Sequence, residues 1–347
     1  MGPHPAVAAV RLAVRQALGQ QSAGPAVLVA CSGGADSVAL AAAVAFETAR
    51  TGRCAGLVTI DHGLQAGSAA RAALVGQLGY ELGLDPVHQI PVVVGRAGGP
   101  EAAARTARYA ALRPLLADYR VLLGHTADDQ AETVLLGLGR GSGGRSIAGM
   151  RAESDGYLRP LLGVRRADTV AACTALGLPV WQDPHNLDPR FRRVRLRHEV
   201  LPLLEDVLAG GVTEALARTA SMLTEDLDAL DQLAGQALAA ALDPTGALRL
   251  TVLDGQPAAI LHRVLKRWAE DGGAGRLSAE QVHQLGRLVR RWHGQLGSDL
   301  PGGYRAVRVS GRLELVAPAA AAPPTAQPPA QPAKPLVPNA EYPVKQE

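Results

Sequence analysis

Aromatic side chains make up only 3% of this chain, with two phenylalanines among 347 residues. A core must therefore come from leucine, valine and alanine, and the 47% hydrophobic fraction is that of a globular protein. Cysteine is scarce too. Cys31, Cys54 and Cys173 form no CxxC pair, so their spacing favours neither a zinc site nor a disulfide framework, and a reducing cytoplasm fits. No uncharged apolar run reaches the roughly 18 residues that a membrane span needs. The apolar pattern over 5–18 is broken by Arg11 and Arg15, which suits an amphipathic helix and not a signal peptide. Two nucleotide-binding signatures are also missing: there is no GxxxxGK with a following Ser or Thr, and no GxGxxG. Net charge is small, +3 with a pI near 8.9, which permits a nucleic-acid partner without requiring one.

The most informative stretch is 26–45. Residues 26–30 are an apolar run suited to a buried strand of a parallel sheet. Residues 38–46 are apolar and alanine-rich, as a helix packed on that sheet would be. Between them lie Ser32, Gly33, Gly34, Ala35, Asp36 and Ser37. Two glycines let the backbone turn sharply and approach a ligand, and the turn empties onto a helix N-terminus, where free N–H groups and the helix dipole favour an anion. A tight strand-to-helix connection with serine caps would look similar.

Short apolar runs at 26–31, 55–60, 88–94 and 121–124 alternate with helical patterns at 37–49, 68–83, 101–118 and 128–140. This alternation predicts an α/β fold, a parallel sheet with helices on both faces, whose ligands bind beyond the carboxyl ends of the strands. The expected division is a nucleotide domain over 1–150, a connecting region with a basic helix over 151–210, a smaller, mainly helical domain over 211–316 closed by a hairpin at 304–316, and an Ala/Pro/Gln-rich tail over 317–347 with the composition of a disordered segment.

Chemistry-bearing residues follow the strands. Asp61 and His62 follow the second, and His62 is equally suited to be an ordinary loop histidine. His125, Asp128, Asp129 and Glu132 follow the fourth, at spacings that share a helical face. Such a cluster suits a cationic amine or a hard metal ion. It also suits a plain helix start with Thr126 as N-cap and acidic residues in the first turn. Arg105 and Arg108 read either as a solvated face or as a site where one of them neutralises phosphate. Arg190, Arg192, Arg193, Arg195 and Arg197 fall within eight residues, with Arg190, Arg193 and Arg197 expected on one face. They suit nucleic-acid phosphate, or a solvated face paired with Glu199 and Glu205.

SGGADS at 32–37 resembles the pyrophosphate loop of adenylating ATP pyrophosphatases. Together with DHGLQ at 61–65, RTARYAALRP at 105–114, HTADDQAETVLLGLGRGSGGRSIAGM at 125–150, RPLLGVRR at 159–166 and WQDPHNLDPRFRRVRLRHEVLP at 181–202, it resembles the tRNA(Ile)-lysidine synthase family over roughly residues 24–205. The resemblance implies a reaction. ATP adenylates the carbon-2 oxygen of the wobble cytidine in an isoleucine tRNA with a CAU anticodon, and pyrophosphate leaves. The amine of free lysine then displaces AMP. It implies roles as well: Ser32 to Ser37, with Asp61 and His62, for ATP; Asp36 for Mg²⁺; Asp129 and Glu132 for lysine; Arg105, His125, Asp36 and Asp129 for the chemistry; Arg190, Arg193, Arg195 and Arg197 for tRNA. Two positions depart from the family pattern, Val194 and Asp61, where Asn is frequent. The expected setting is the cytoplasm without membrane attachment, and the oligomeric state stays open, a homodimer included. A tRNA thiolase would need a cysteine pair or iron–sulfur ligands that this spacing lacks, an amidating synthetase a glutamine-hydrolysing domain, and an ATP sensor would have no use for the acidic helix or the arginines.

Overall fold

The computed structural model describes residues 2–19, 24–65, 67–95, 97, 99–141 and 143–318. Most of the tail expected to be disordered, 319–347, lies outside them. The chain divides into two compact units, residues 1–230 and 231–347.

The first unit is built on strands β1 (Val27–Ala30), β2 (Ala55–Asp61), β3 (Val87–Pro91) and β4 (Arg120–Leu123), all paired in parallel in the order β3-β2-β1-β4. Strand β1 is buried on both faces, and its side chains alternate between two cores. Val27 and Val29 pack with residues of α1 (Pro5–Leu18), α2 (Ala35–Thr51), α3 (Ser68–Glu81) and the later helix Arg166–Ala175. Leu28 packs on the other side with Leu112 at the end of α4 (Pro100–Leu112), together with Val58, Val121 and Tyr157. Helices thus cover both faces, as a continuous apolar strand demands. The chain steps outward from β1 to β3, then returns to β4 on the other side of β1. The strand order reverses between β1 and β4, and beyond the carboxyl ends of strands at such a switch lies the crevice where ligands bind in sheets of this kind.

The elements fall within a few residues of the sequence expectation. The helical pattern at 101–118 ends at Leu112 and continues as a 3₁₀ turn, Arg113–Ala117, because Pro114 has no N–H for the α-helical ladder. Two short strands, β5 (Glu153–Ser154) and β6 (Tyr157–Leu158), extend the sheet past β4, with β6 parallel to it and β5 antiparallel to β6. Pairs of two residues carry no readable periodicity.

In the second unit, amphipathic helices Ala258–Asp271 and Ala279–Arg290 bury Leu261, Val264, Leu265 and Leu285. The expected hairpin is present as Arg305–Val309 and Arg312–Val316. It is the centre of a four-stranded antiparallel sheet completed by Leu248–Arg249 and Ser298–Asp299. Among the described residues no helix is long and apolar enough to cross a membrane.

The acidic helix, α5 (Ala127–Leu138), is clamped from behind by α6 (Gly144–Ile147). A Cβ on Gly137 would lie 1.9 Å from the Ser146 carbonyl oxygen. We expect Gly137→Ala to destabilise the protein by about 1–3 kcal/mol through overpacking, read as a lower urea midpoint. An unchanged midpoint would mean α6 is free to move off α5.

Candidate active site

The loop after β1 is braced from within. Ser37, buried at the start of α2, donates its hydroxyl to the Gly34 carbonyl at 2.9 Å and accepts from the Ser32 N–H at 3.1 Å. Gly33 takes φ +87°, and a Cβ there would press on Val75 at 3.0 Å. Gly34 is the N-cap of α2 and supplies no side-chain cap, and Ala35 is the first helical residue. The first-turn amides therefore face the crevice without an internal acceptor, the arrangement that attracts phosphate. Asp36 projects from this turn. It accepts from the Thr169 hydroxyl and, at 3.0 Å, from Arg166 Nε. Burial raises its pKa against the pull of Arg166 and Thr169.

The crevice is a cleft of about 1120 Å³ in which Ser32, Gly34, Asp36, Asp61, His62, Arg108, His125, Asp129 and Arg166 share one lining. One wall is Trp181, whose backbone N–H donates to the Gly33 carbonyl at 2.9 Å and whose ring carries the Arg71 guanidinium at 3.4 Å. Asp61 accepts from the Gly63 N–H at 2.9 Å, and that bond holds its carboxyl below the usual range.

Helix α5 opens with a capping box. Thr126 caps the Asp129 N–H, and Asp129 Oδ2 accepts from the Thr126 N–H at 2.9 Å. The other oxygen of Asp129 faces the cleft and takes Arg166 Nη2 at 2.6 Å. The helix cap and the cleft contact of this residue thus use different oxygens of one carboxylate. Burial raises the Asp129 pKa, but Arg166 and the Thr126 N–H outweigh it and keep the residue ionised. Asp128 turns to Arg165 and to the Arg166 backbone N–H. Glu132 is fully buried, 0% exposed, and is held by Arg197 at 2.7 Å, Arg193 at 3.4 Å and Arg166 at 3.7 Å. Burial pushes its pKa up and Arg197 pulls it back.

The arginine stretch is not one face. Arg190 precedes the helix, pairs with Asp188 and is 85% exposed. Arg195 pairs with Glu199 one turn on. Arg193 and Arg197 turn inward to Glu132, across a short α-helix, Arg192–Arg195, that runs into a π-helical turn, Leu196–Val200. Arg192 is exposed.

Arg105 and Arg108 also separate. Arg105 is exposed and lies over the Tyr109 ring. Arg108 lines the cleft. Its Nε is buried without a hydrogen-bond partner, no carboxylate pairs with it among the described residues, and burial lowers its pKa. His62 lies near it and is pushed down by burial, then by Arg108. His125 is pushed down to about 3 by burial, Asp129 opposing and Arg108 and Arg159 assisting.

Arg166 and Thr169 were not singled out from the sequence. The one available signal is the adjacent Arg165–Arg166 pair, and the carboxylates hydrogen-bonded to Arg166 and Thr169 lie 37 to 133 residues away. Cys31 and Cys173 are buried thiols with pKa values raised by burial, Cys173 to about 11. Among the described residues no group of three or more His, Cys, Asp and Glu is arranged to hold a metal ion.

Comparison with known proteins adds independent findings. A PP-loop domain model matches residues 9–204, and a TilS substrate binding domain model matches 248–314. A tRNA(Ile)-lysidine synthase of Streptomyces coelicolor is 52% identical over 350 residues, covering 91% of this chain and 99% of that protein. One from Thermobifida fusca is 54% identical over 317 residues, covering 90% and 98%. Among solved structures, the U34-tRNA thiolase NcsA from Methanococcus maripaludis, with its [4Fe-4S] cluster, matches with a TM-score of 0.52 at 16% identity, over 63% of this chain and 80% of that one. At that identity the likeness concerns the fold alone.

The half-buried His125 imidazole has a measurable consequence. An unfolded histidine takes up its proton near pH 6.5, whereas His125 resists until about 3. Its folded pKa is depressed, so its penalty on the folded state is absent above pH 6.5 and grows as pH falls below it, by at most about 1.4 kcal/mol per pH unit. Urea unfolding at pH 7 and pH 5 should show wild type losing more stability on acidification than His125→Gln. Equal losses would mean that His125 protonates in the fold.

Proposed function

The chain belongs to the tRNA(Ile)-lysidine synthase family and is an ATP-dependent ligase that forms lysidine on tRNA(Ile), and we propose that the cleft at the β1/β4 switch holds both the nucleotide and the lysine. The observation that carries this is the shared partner of Asp36 and Asp129: one guanidinium, Arg166, bonds both at 3.0 and 2.6 Å. The phosphate turn and the acidic helix therefore lie within one side chain's reach.

In the first step the cytidine carbon-2 oxygen bonds to the α-phosphorus of ATP and the bond to the β-phosphate bridge breaks. The first-turn amides of α2, from Gly34 to Ser37, take the leaving pyrophosphate. Arg108 is the better candidate than Arg105 for neutralising the transferring phosphoryl group. A half-buried guanidinium whose Nε lacks a partner and which no carboxylate neutralises gains by meeting an anion. His125 stays neutral across the physiological range and so acts as a contact for the adenylated cytidine, not as a proton carrier. In the second step the lysine amine bonds to carbon 2, the carbon–oxygen bond to AMP breaks, and the proton the amine gives up passes to solvent water. Asp129, held as a carboxylate, and Glu132 are the acidic groups we assign to lysine.

Magnesium binds through one or two carboxylates together with substrate phosphates. Asp36 fits that requirement, since it projects from the phosphate turn into the cleft and already faces a cation. When bound, the ion would lower the charge on the phosphates, with Asp36 as its protein ligand. We assign Arg190 and Arg195, which point outward, to tRNA phosphate along with the unit matching the TilS domain. Arg193 and Arg197 serve it by holding the basic segment to Glu132. The working division is catalytic residues 1–150, connecting residues 151–210 and tRNA-binding residues 211–316, in a cytoplasmic enzyme.

Pyrophosphate should appear only when ATP, Mg²⁺ and the isoleucine tRNA are all present, and radiolabelled lysine should become attached to that tRNA. A tRNA that stays unlabelled overturns the lysine assignment. Arg108→Gln should slow pyrophosphate release about 10²–10³-fold, the scale of losing one preorganised charge donor, and Arg105→Gln less than tenfold. The reverse order would exchange their roles. Asp129→Asn should raise the KM for lysine more than it slows pyrophosphate release, and equal effects on both steps would remove Asp129 from the lysine site.

A further inference from the structure

We propose that Arg166 couples the two small substrates: it stands in the lysine site as an internal cation until ATP draws it away. The inference rests on the assignment of Asp129 and Glu132 to lysine. Its starting point is a charge count. Three carboxylates, Asp36, Asp129 and Glu132, face three guanidiniums, Arg166, Arg193 and Arg197. The cluster is already neutral. A lysine ammonium entering it would find no spare negative charge, and like charges at a few ångströms in a partly buried site oppose its entry. One guanidinium must yield.

Geometry selects Arg166. Arg197 is bound to Glu132 through two nitrogens, at 2.9 and 2.7 Å, and Arg193 reaches only Glu132 among the three carboxylates. These two anchor the basic segment to α5. Arg166 alone reaches all three carboxylates, and its Nη1 is buried with no hydrogen bond, 3.7 Å from Glu132. It lies in the cleft lining beside Asp36 and the phosphate turn. Its backbone N–H is fixed to Asp128 at 2.8 Å, so the side chain can swing while its root stays put. The triphosphate of ATP brings several negative charges to the turn from which Asp36 projects. A guanidinium pairs with phosphate bidentately and tightly. Turning Arg166 toward that phosphate leaves Asp129 and Glu132 with uncompensated charge, ready for an ammonium group. ATP then tightens lysine binding, and lysine tightens ATP by the same factor.

Equilibrium dialysis of radiolabelled lysine against the full chain, with and without α,β-methylene-ATP, tests this. For wild type the analogue should tighten lysine binding about tenfold or more, within the usual range of such couplings. Arg166→Gln should bind lysine tightly without nucleotide, and the analogue should then change its Kd less than twofold. Arg166→Lys, which keeps a charge but not the fork, should give a coupling between the two. If Arg166→Gln binds lysine no better than wild type without nucleotide, or keeps the full coupling, the proposal is overturned. Asp129→Asn separates the proposal from its premise. If that variant binds lysine like wild type, the lysine pocket lies elsewhere and the premise has failed. If it weakens lysine while Arg166→Gln keeps the coupling, the pocket stands and the role of Arg166 falls. Thermal melts of each variant confirm that the binding is measured on folded protein.

Discussion

A buried carboxylate must find a cation, and Glu132 is the residue on which that requirement presses hardest. It sits on α5 without solvent contact, and leaving a buried ion unpaired costs several kcal/mol. Three arginines answer it, from two parts of the chain separated by some 30 residues. The pairing does more than settle one charge. It ties the basic segment after 190 to the acidic helix, and through Arg166 it ties both to the phosphate turn. The three pieces of sequence that form the site are therefore held in register by ion pairs, where the sheet alone would fix only the turn and the start of α5.

This network also shows what a sequence discloses and what it conceals. The phosphate turn was legible because its parts are contiguous: an apolar run, two glycines, a helix. The alternation of strands and helices up to β4 was legible for the same reason. The direction in which each arginine points was not. Arg190, Arg193 and Arg197 have the spacing of one helical face, yet Arg190 lies before the helix and a π-turn follows it. What decides the outcome is Glu132, 61 and 65 residues away from Arg193 and Arg197. Charge spacing is a local property, whereas charge pairing in a core is set by the fold. Arg166 escaped notice on the same ground: nothing near it in the chain marks it as different from Arg165.

Helix α5 makes a related point about competing explanations. A Thr-x-x-Asp start is a stabilising cap in any helix, and acidic residues in a first turn need no ligand to justify them. Here the cap uses one oxygen of Asp129 and the cleft uses the other. The cap is what makes the second oxygen useful. By fixing the carboxylate to its own helix start, it aims the free oxygen into the cleft and limits the rotamers it can sample. Capping the helix and pairing with Arg166 across the cleft are successive uses of one group.

The distribution of unpaired charge divides the cleft by function. On the α5 side every carboxylate is matched by a guanidinium, so that side is electrically satisfied and accepts a cation only by exchange. On the α4 side Arg108 is half-buried, its Nε without a hydrogen-bond partner and no carboxylate paired with it among the described residues, while His62 and His125 are pushed toward their neutral forms. That side is electrically incomplete and gains by admitting an anion. A cleft so polarised favours an anion on the α4 side as it stands and a cation on the α5 side only by exchange. On the coupling proposed for Arg166, the group that carries phosphate arrives first, and the charge it brings makes room for the amine.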